Sequence, residues 1–199
     1  MIFYNFIFFS LVLLQLSLKK HDGRRTLVYL ITLCVLFIFS GFRYEVGCDW
    51  TGYLNQWEIQ KNLPLQIALL NSEPLWWAMI DLIQSSGASY PWMNVASSGI
   101  FFLGVHVIAR RQPDPLGFLI LLFPILIINM PMSGIRQAAG IGIMCFAIIS
   151  FIDKRTFWFV TFVLLAAAFH NSAIIFLLLA PLVGENYSRS RLYLATLLA

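Results

Sequence analysis

Residues 74–83 read PLWWAMIDLI, and the fold of the whole chain turns on whether this apolar run crosses a membrane. A spanning helix needs ~20 mainly apolar residues, with a range of roughly 17–25. This run is too short. Glu73 precedes it and Pro74 opens it, a favourable arrangement for a helix start. The pair Trp76 and Trp77 suits a helix that lies in the interface or re-enters from one side. Were the run to cross, everything after it would be inverted. Arg110–Arg111 and Lys154–Arg155 would then face away from the cluster Lys19, Lys20, Arg24 and Arg25. Basic clusters favour the cytoplasmic side. The non-spanning reading keeps all of them together.

The surrounding chain is membrane-like. Of its 199 residues, 60% are hydrophobic and only 11% charged, and mean hydropathy is +0.81. Soluble domains carry about 25% charged residues. The net charge of +4 sits in short clusters between apolar runs, where it sets orientation. It does not point to nucleic acid. Met1–Leu18 lacks a basic n-region and a small-residue cleavage site, so it reads as a retained span with its N-terminus outside. Further spans are expected near Thr26–Phe42, Trp92–Ala109, Leu116–Met130 (kinked at Pro124) and Ile135–Ile152. Thr156–Val183 would be ~42 Å long as one helix, more than the ~30 Å hydrocarbon core. His170, Asn171 and Ser172 break it into two shorter helices. Arg189 and Arg191 follow on the inner side. The fold class is thus an all-α polytopic membrane protein, a single domain of about six spans. An extracytoplasmic loop, residues 43–91, carries the short helix. The run Tyr193–Ala199 reads as a further span cut short, as in the N-terminal part of a longer protein. Cys34, Cys48 and Cys145 lack metal or disulfide spacing and read as free thiols.

This topology gathers Arg43, Asp49, Glu73, Arg136 and His170 at the outer face. Charge at a lipid boundary is costly unless it meets water, a partner or a substrate. Arg136 and Gln137 open a helix, where a positive dipole end and a planar guanidinium suit phosphate. The plain alternative is an arginine that snorkels to the interface. Gly134, Ala138 and Gly142 recur every four residues, a stripe that admits a neighbouring helix. His170 is a proton-transfer group or a structural histidine. Asp49 is a general base or a partner for Arg43. Glu73 acts chemically or caps the short helix, the latter being the simpler reading. Trp50, Tyr53 and Trp57 stack on sugar rings or anchor at the interface.

Three stretches, in order, resemble a known family. GFRYEVGCDWTGY (41–53) resembles its F-R-x-x-V-G-x-D-[YW]-x-x-Y signature, and SGIRQAAGIGI (133–143) its G-[IV]-R-Q-x-[IL]-A segment. AAAFHNSAIIFLLLAPL (166–182) resembles its F-H-x-S-A-[LI] segment, and Glu73–Pro74 its E-P turn. The family is that of EpsG-like and Wzy-type (O-antigen) polysaccharide polymerases, and the resemblance covers roughly residues 1–185. It implies a GT-C-like, metal-independent glycosyltransferase with no cofactor in the bacterial inner membrane, its site facing the periplasm or exterior. Substrates would be undecaprenyl-diphosphate-linked glycan donor and acceptor, with membrane lipids, a chain-length regulator and a flippase as partners. The product would be O-antigen, capsule or exopolysaccharide. Arg43, Arg136 and Gln137 would bind diphosphate; Asp49 or His170 would be catalytic; Trp50, Tyr53 and Glu73 would contact sugar. Cys48 departs from the small or hydroxyl residue usual there. A flippase for lipid-linked sugars would use the same outward arginines and aromatics, although such proteins favour midplane polar groups and internal repeats. A truncated, non-catalytic remnant is the third reading.

Overall fold

The computed structural model describes residues 2–18, 23–70 and 72–184. The basic residues Lys19 and Lys20, the pair Arg189 and Arg191, and the run Tyr193–Ala199 lie outside them. Every regular element among the described residues is helical. They are α1 (Ile2–Ser17), α2 (Arg24–Gly41), α3 (Trp50–Gln60), α4 (Leu65–Ala68), α5 (Pro74–Ser85), α6 (Pro91–Ala109), α7 (Pro115–Leu122), α8 (Ile135–Ile152) and α9 (Thr156–Phe169). A π-helical turn, Phe123–Ile127, extends α7, and a 3-10 helix, Asn171–Leu182, follows α9. Three helices, α2, α6 and α8, are long and apolar enough to cross a membrane; α1, α7 with its π turn, α9 and the 3-10 helix are apolar but shorter.

The centre of the bundle is α6 against α8, and glycine decides how close they come. A Cβ on Gly104 would lie 2.0 Å from the Gly142 carbonyl oxygen, and one on Gly142 would lie 2.4 Å from the Ile100 oxygen. The two backbones therefore touch directly, which only small residues allow. Ala138 and Gly142 of the small-residue stripe are buried, but Gly134 meets the side chain of its own Gln137 rather than another helix. Helix α2 packs on α6, and α9 on the other side of α8.

Proline and polar breaks shape the remaining rods. Pro124 has no N–H and would clash in a regular turn, and the chain there widens into the π turn. At His170 the backbone is extended (φ −152°, ψ 110°). Chain direction then reverses, because Thr156 Oγ1 at the start of α9 donates to the Val183 carbonyl at 3.2 Å. Residues 156–183 are a hairpin with His170 at its tip. Fourteen α residues rise ~21 Å and twelve 3-10 residues ~24 Å, so the legs match in length.

The polar residues separate to opposite ends. One end carries the Arg25–Asp114 ion pair (2.6 Å) and the bidentate Arg111–Asp153 pair (2.5 and 2.8 Å). The other carries α3, α4 and α5 as a cap. Its core is aromatic: Trp50, Tyr53, Trp57, Trp76 and Tyr90 cluster with Met93, Ile135 and Phe169. The run PLWWAMIDLI thus forms α5 within the cap. Trp76 departs from the expected interfacial role. It is 1% exposed, and its indole N–H donates to Gln56 Oε1 at 2.8 Å.

Candidate functional site

The cap is fastened to the bundle by the loop that joins it to α2. Arg43 is buried, and each of its three guanidinium nitrogens donates to a protein group. Nε donates to the Pro131 carbonyl (3.2 Å), Nη1 to the Val46 carbonyl, and Nη2 to Asn94 Oδ1 (3.2 Å). Its Cζ also sits 5.6 Å from the Trp50 ring centroid, a cation–π contact. Burial holds its pKa below the usual arginine value, against the raising influence of Tyr90, Tyr53, Tyr4 and Asp49. Gly47, at φ +109°, presses against residue 132 so closely that a Cβ would lie 2.1 Å from the Met132 oxygen. The Cys48 N–H donates to Ser133 Oγ (3.1 Å). Residues 43–48 are therefore bolted to the loop that leads into α8, and so set where Arg136 begins.

Arg136 leaves the first turn of α8 and meets Glu73. Arg136 Nη1 donates to Glu73 Oε2 at 2.5 Å. The other oxygen, Oε1, lies 3.0 Å from His170 Nδ1 and accepts the Asn171 backbone N–H, also at 3.0 Å. One carboxylate thus joins the cap, the start of α8 and the tip of the hairpin. The Glu73 side chain is 6% exposed, whereas Arg136 and His170 are 30% and 23% exposed. A deeply set acid holds two groups that still reach the surface.

Glu73 does not cap α5. It occupies the N-cap position but makes no side-chain cap bond, and it stands in the left-handed region (φ 68°, ψ 58°). That conformation is uncommon outside glycine and costs of order 1 kcal/mol. It turns the carboxylate off α5 towards α8 and the hairpin. Gly140 makes room on the other side, where a Cβ would lie 3.3 Å from the His170 Cβ.

The other expected residues lie around this centre. Asp49 is exposed at the start of α3, and among the described residues no ion pair joins it to Arg43. Tyr53 is buried against Trp76, ring centroids 5.3 Å apart. Burial raises the Tyr53 pKa, while Arg136 lowers it through its charge and its backbone. Tyr53 therefore stands next to Arg136, under the site. Trp50 meets Tyr90 edge-on at 4.9 Å. Gln137 folds over Gly134. Sequence reasoning missed Asn94, buried mid-sequence in an apolar run, and the backbone N–H of Asn171; only the latter had a signal, the polar break.

A sequence profile of known proteins matches residues 26–199 and is that of the EpsG family. The chain belongs to the EpsG family. EpsG membership and the apolar helices make it a membrane protein of the polysaccharide-polymerase type, a group associated with glycosyltransferase-like activity. The EpsG match starts within α2 and includes all three resembling stretches and the Glu73–Pro74 turn. No curated protein and no solved structure gives a significant match.

Proposed function

We propose that the chain polymerises lipid-diphosphate-linked oligosaccharide repeat units, on the outer face of the bacterial inner membrane, into O-antigen, capsule or exopolysaccharide. The observation that carries this reading is the single carboxylate of Glu73 gripping Arg136 and His170 together. A carboxylate only accepts, so the Nδ1 of His170 carries the hydrogen of that bond, and in the neutral imidazole Nε2 then keeps its lone pair. Among the described residues, Nε2 has no other partner. It is placed to take the proton of a sugar hydroxyl. The hydroxyl oxygen attacks the anomeric carbon of the growing glycan, the bond from that carbon to the diphosphate oxygen breaks, and the lipid diphosphate departs with the bonding electrons. Arg136 stabilises the charge that builds there. Its Nε is buried without an acceptor among the described residues, and a phosphate oxygen would supply one. Such a buried donor otherwise costs ~1–3 kcal/mol. On this reading Arg43 fixes the loop rather than touching phosphate, and Trp50 and Tyr53 form the floor beneath the sugar.

The test uses purified full-length protein with lipid-linked repeat units in detergent, where chain growth needs no translocation. Wild type should give a ladder of products. Arg136→Ala should give single units, and Glu73→Gln should slow growth ~10²-fold or more, with both variants monodisperse. Wild-type chain lengths from Arg136→Ala would sink the assignment. A wild-type protein that moves lipid-linked units across vesicles and never joins them would favour the flippase reading.

A further inference from the structure

The end of the bundle opposite the Glu73 cluster holds a cavity of about 610 Å³, lined by Arg25, Tyr29, His106, Arg110 and Asp114. Helix α2 begins at its rim, at Gly23, and brings the positive end of its dipole. Arg25 is neutralised by Asp114 at 2.6 Å, and that carboxylate also accepts from Gln15 Nε2 and the Gly117 N–H. Arg110 has no such partner among the described residues. Among the described residues, two guanidiniums against one carboxylate leave the lining with one positive charge.

This polar chamber continues into an apolar groove. Between α2 and α6 runs a second cavity of about 340 Å³, lined by Leu33, Cys34, Phe37, Gly99, Phe102 and Leu103. The two chambers share Leu30 and His106. At their junction the buried Tyr29 hydroxyl lies 2.8 Å from His106 Nδ1, and the two rings stack at 15°. With the phenol donating to Nδ1, the His106 Nε2–H is a further donor. A basic chamber joined end-on to an apolar slot along a membrane helix matches a ligand with one negative head and a hydrocarbon tail. A second protein helix would match the slot but not the chamber. Basic pockets between membrane helices are known to take lipid head groups.

We propose that this composite cavity binds one anionic glycerophospholipid, its phosphodiester at Arg110 and His106 and one acyl chain along Phe37, Gly99 and Leu103. The site is independent of the polymerase reading, since it shares no residue with the Glu73 cluster. Two substitutions separate head from tail. Arg110→Ala removes the uncompensated charge. Gly99→Leu fills the slot, and it should fold, because a Cβ there meets only the Phe37 ring edge at 3.8 Å. Native mass spectrometry of the full chain in detergent, titrated with phosphatidylglycerol, phosphatidylethanolamine or glycerol 3-phosphate, reads each part. The expected result is one phosphatidylglycerol per chain, with phosphatidylethanolamine ~5-fold weaker and glycerol 3-phosphate unbound. Both variants should lose most of that binding. Equal retention of the two lipids, glycerol 3-phosphate binding as well as the lipid, or unchanged binding in both variants would overturn the proposal.

Discussion

Glu73 is where local and global preferences part. A glutamate before a proline-led helix is well placed to cap it, and the sequence reads that way. The fold instead spends a left-handed backbone on aiming the acid elsewhere. Nothing local to residues 70–76 shows this, because the partners lie 63 and 97 positions away. Arg136 and His170 were legible as misplaced polarity in apolar sequence; their shared acid was not. Arg43 was equally conspicuous, yet its hydrogen bonds go to main-chain oxygens and Asn94, and a carbonyl acceptor leaves no mark in a sequence. The choice of base between Asp49 and His170 belongs to this scale. On the proposed mechanism, His170→Gln should lower the polymerisation rate by ~10²–10⁴-fold, and Asp49→Asn should lose far less. The comparison is initial rates on lipid-linked units at fixed pH. The reverse order would make Asp49 the base.

Among the elements, the short helix and the broken run were legible because length alone decides them. Ten apolar residues cannot cross a bilayer, and twenty-eight with a polar interruption do not form one helix. The 3-10 form of residues 171–182 was not legible, since apolar composition fits either helix type. The α6–α8 contact was half legible. Gly142 stood out in a stripe, but Gly104 has no small neighbour at four-residue spacing and looked ordinary. The two nonetheless form one contact, backbone on backbone. Gly104→Val should force the helices apart at a cost of at least ~1–3 kcal/mol. A thermal unfolding midpoint in detergent, measured against Gly23→Ala as a control with nothing within 4 Å of its added Cβ, reads the difference. An unchanged midpoint in Gly104→Val would contradict the close approach.

For the molecule as a whole, charge asymmetry predicted two unlike ends, and the bundle has them. Arg25, Arg111 and Asp153 mark one, and Arg43, Glu73, Arg136 and His170 the other. The proposed orientation puts the second outside, and Cys48 is an exposed native reporter at that end. A membrane-impermeant maleimide applied to intact spheroplasts should label wild type and fail on Cys48→Ser. Label gained only after lysis would invert the topology. The three-way junction at Glu73 also has a consequence in time. During synthesis the acid emerges first, Arg136 later, and His170 with Asn171 last. Until the hairpin of residues 156–183 has been inserted, the nascent cap holds a carboxylate without its full set of donors. The cap's completion therefore follows the insertion of α8, and it reports that α5, α8 and the hairpin have come together.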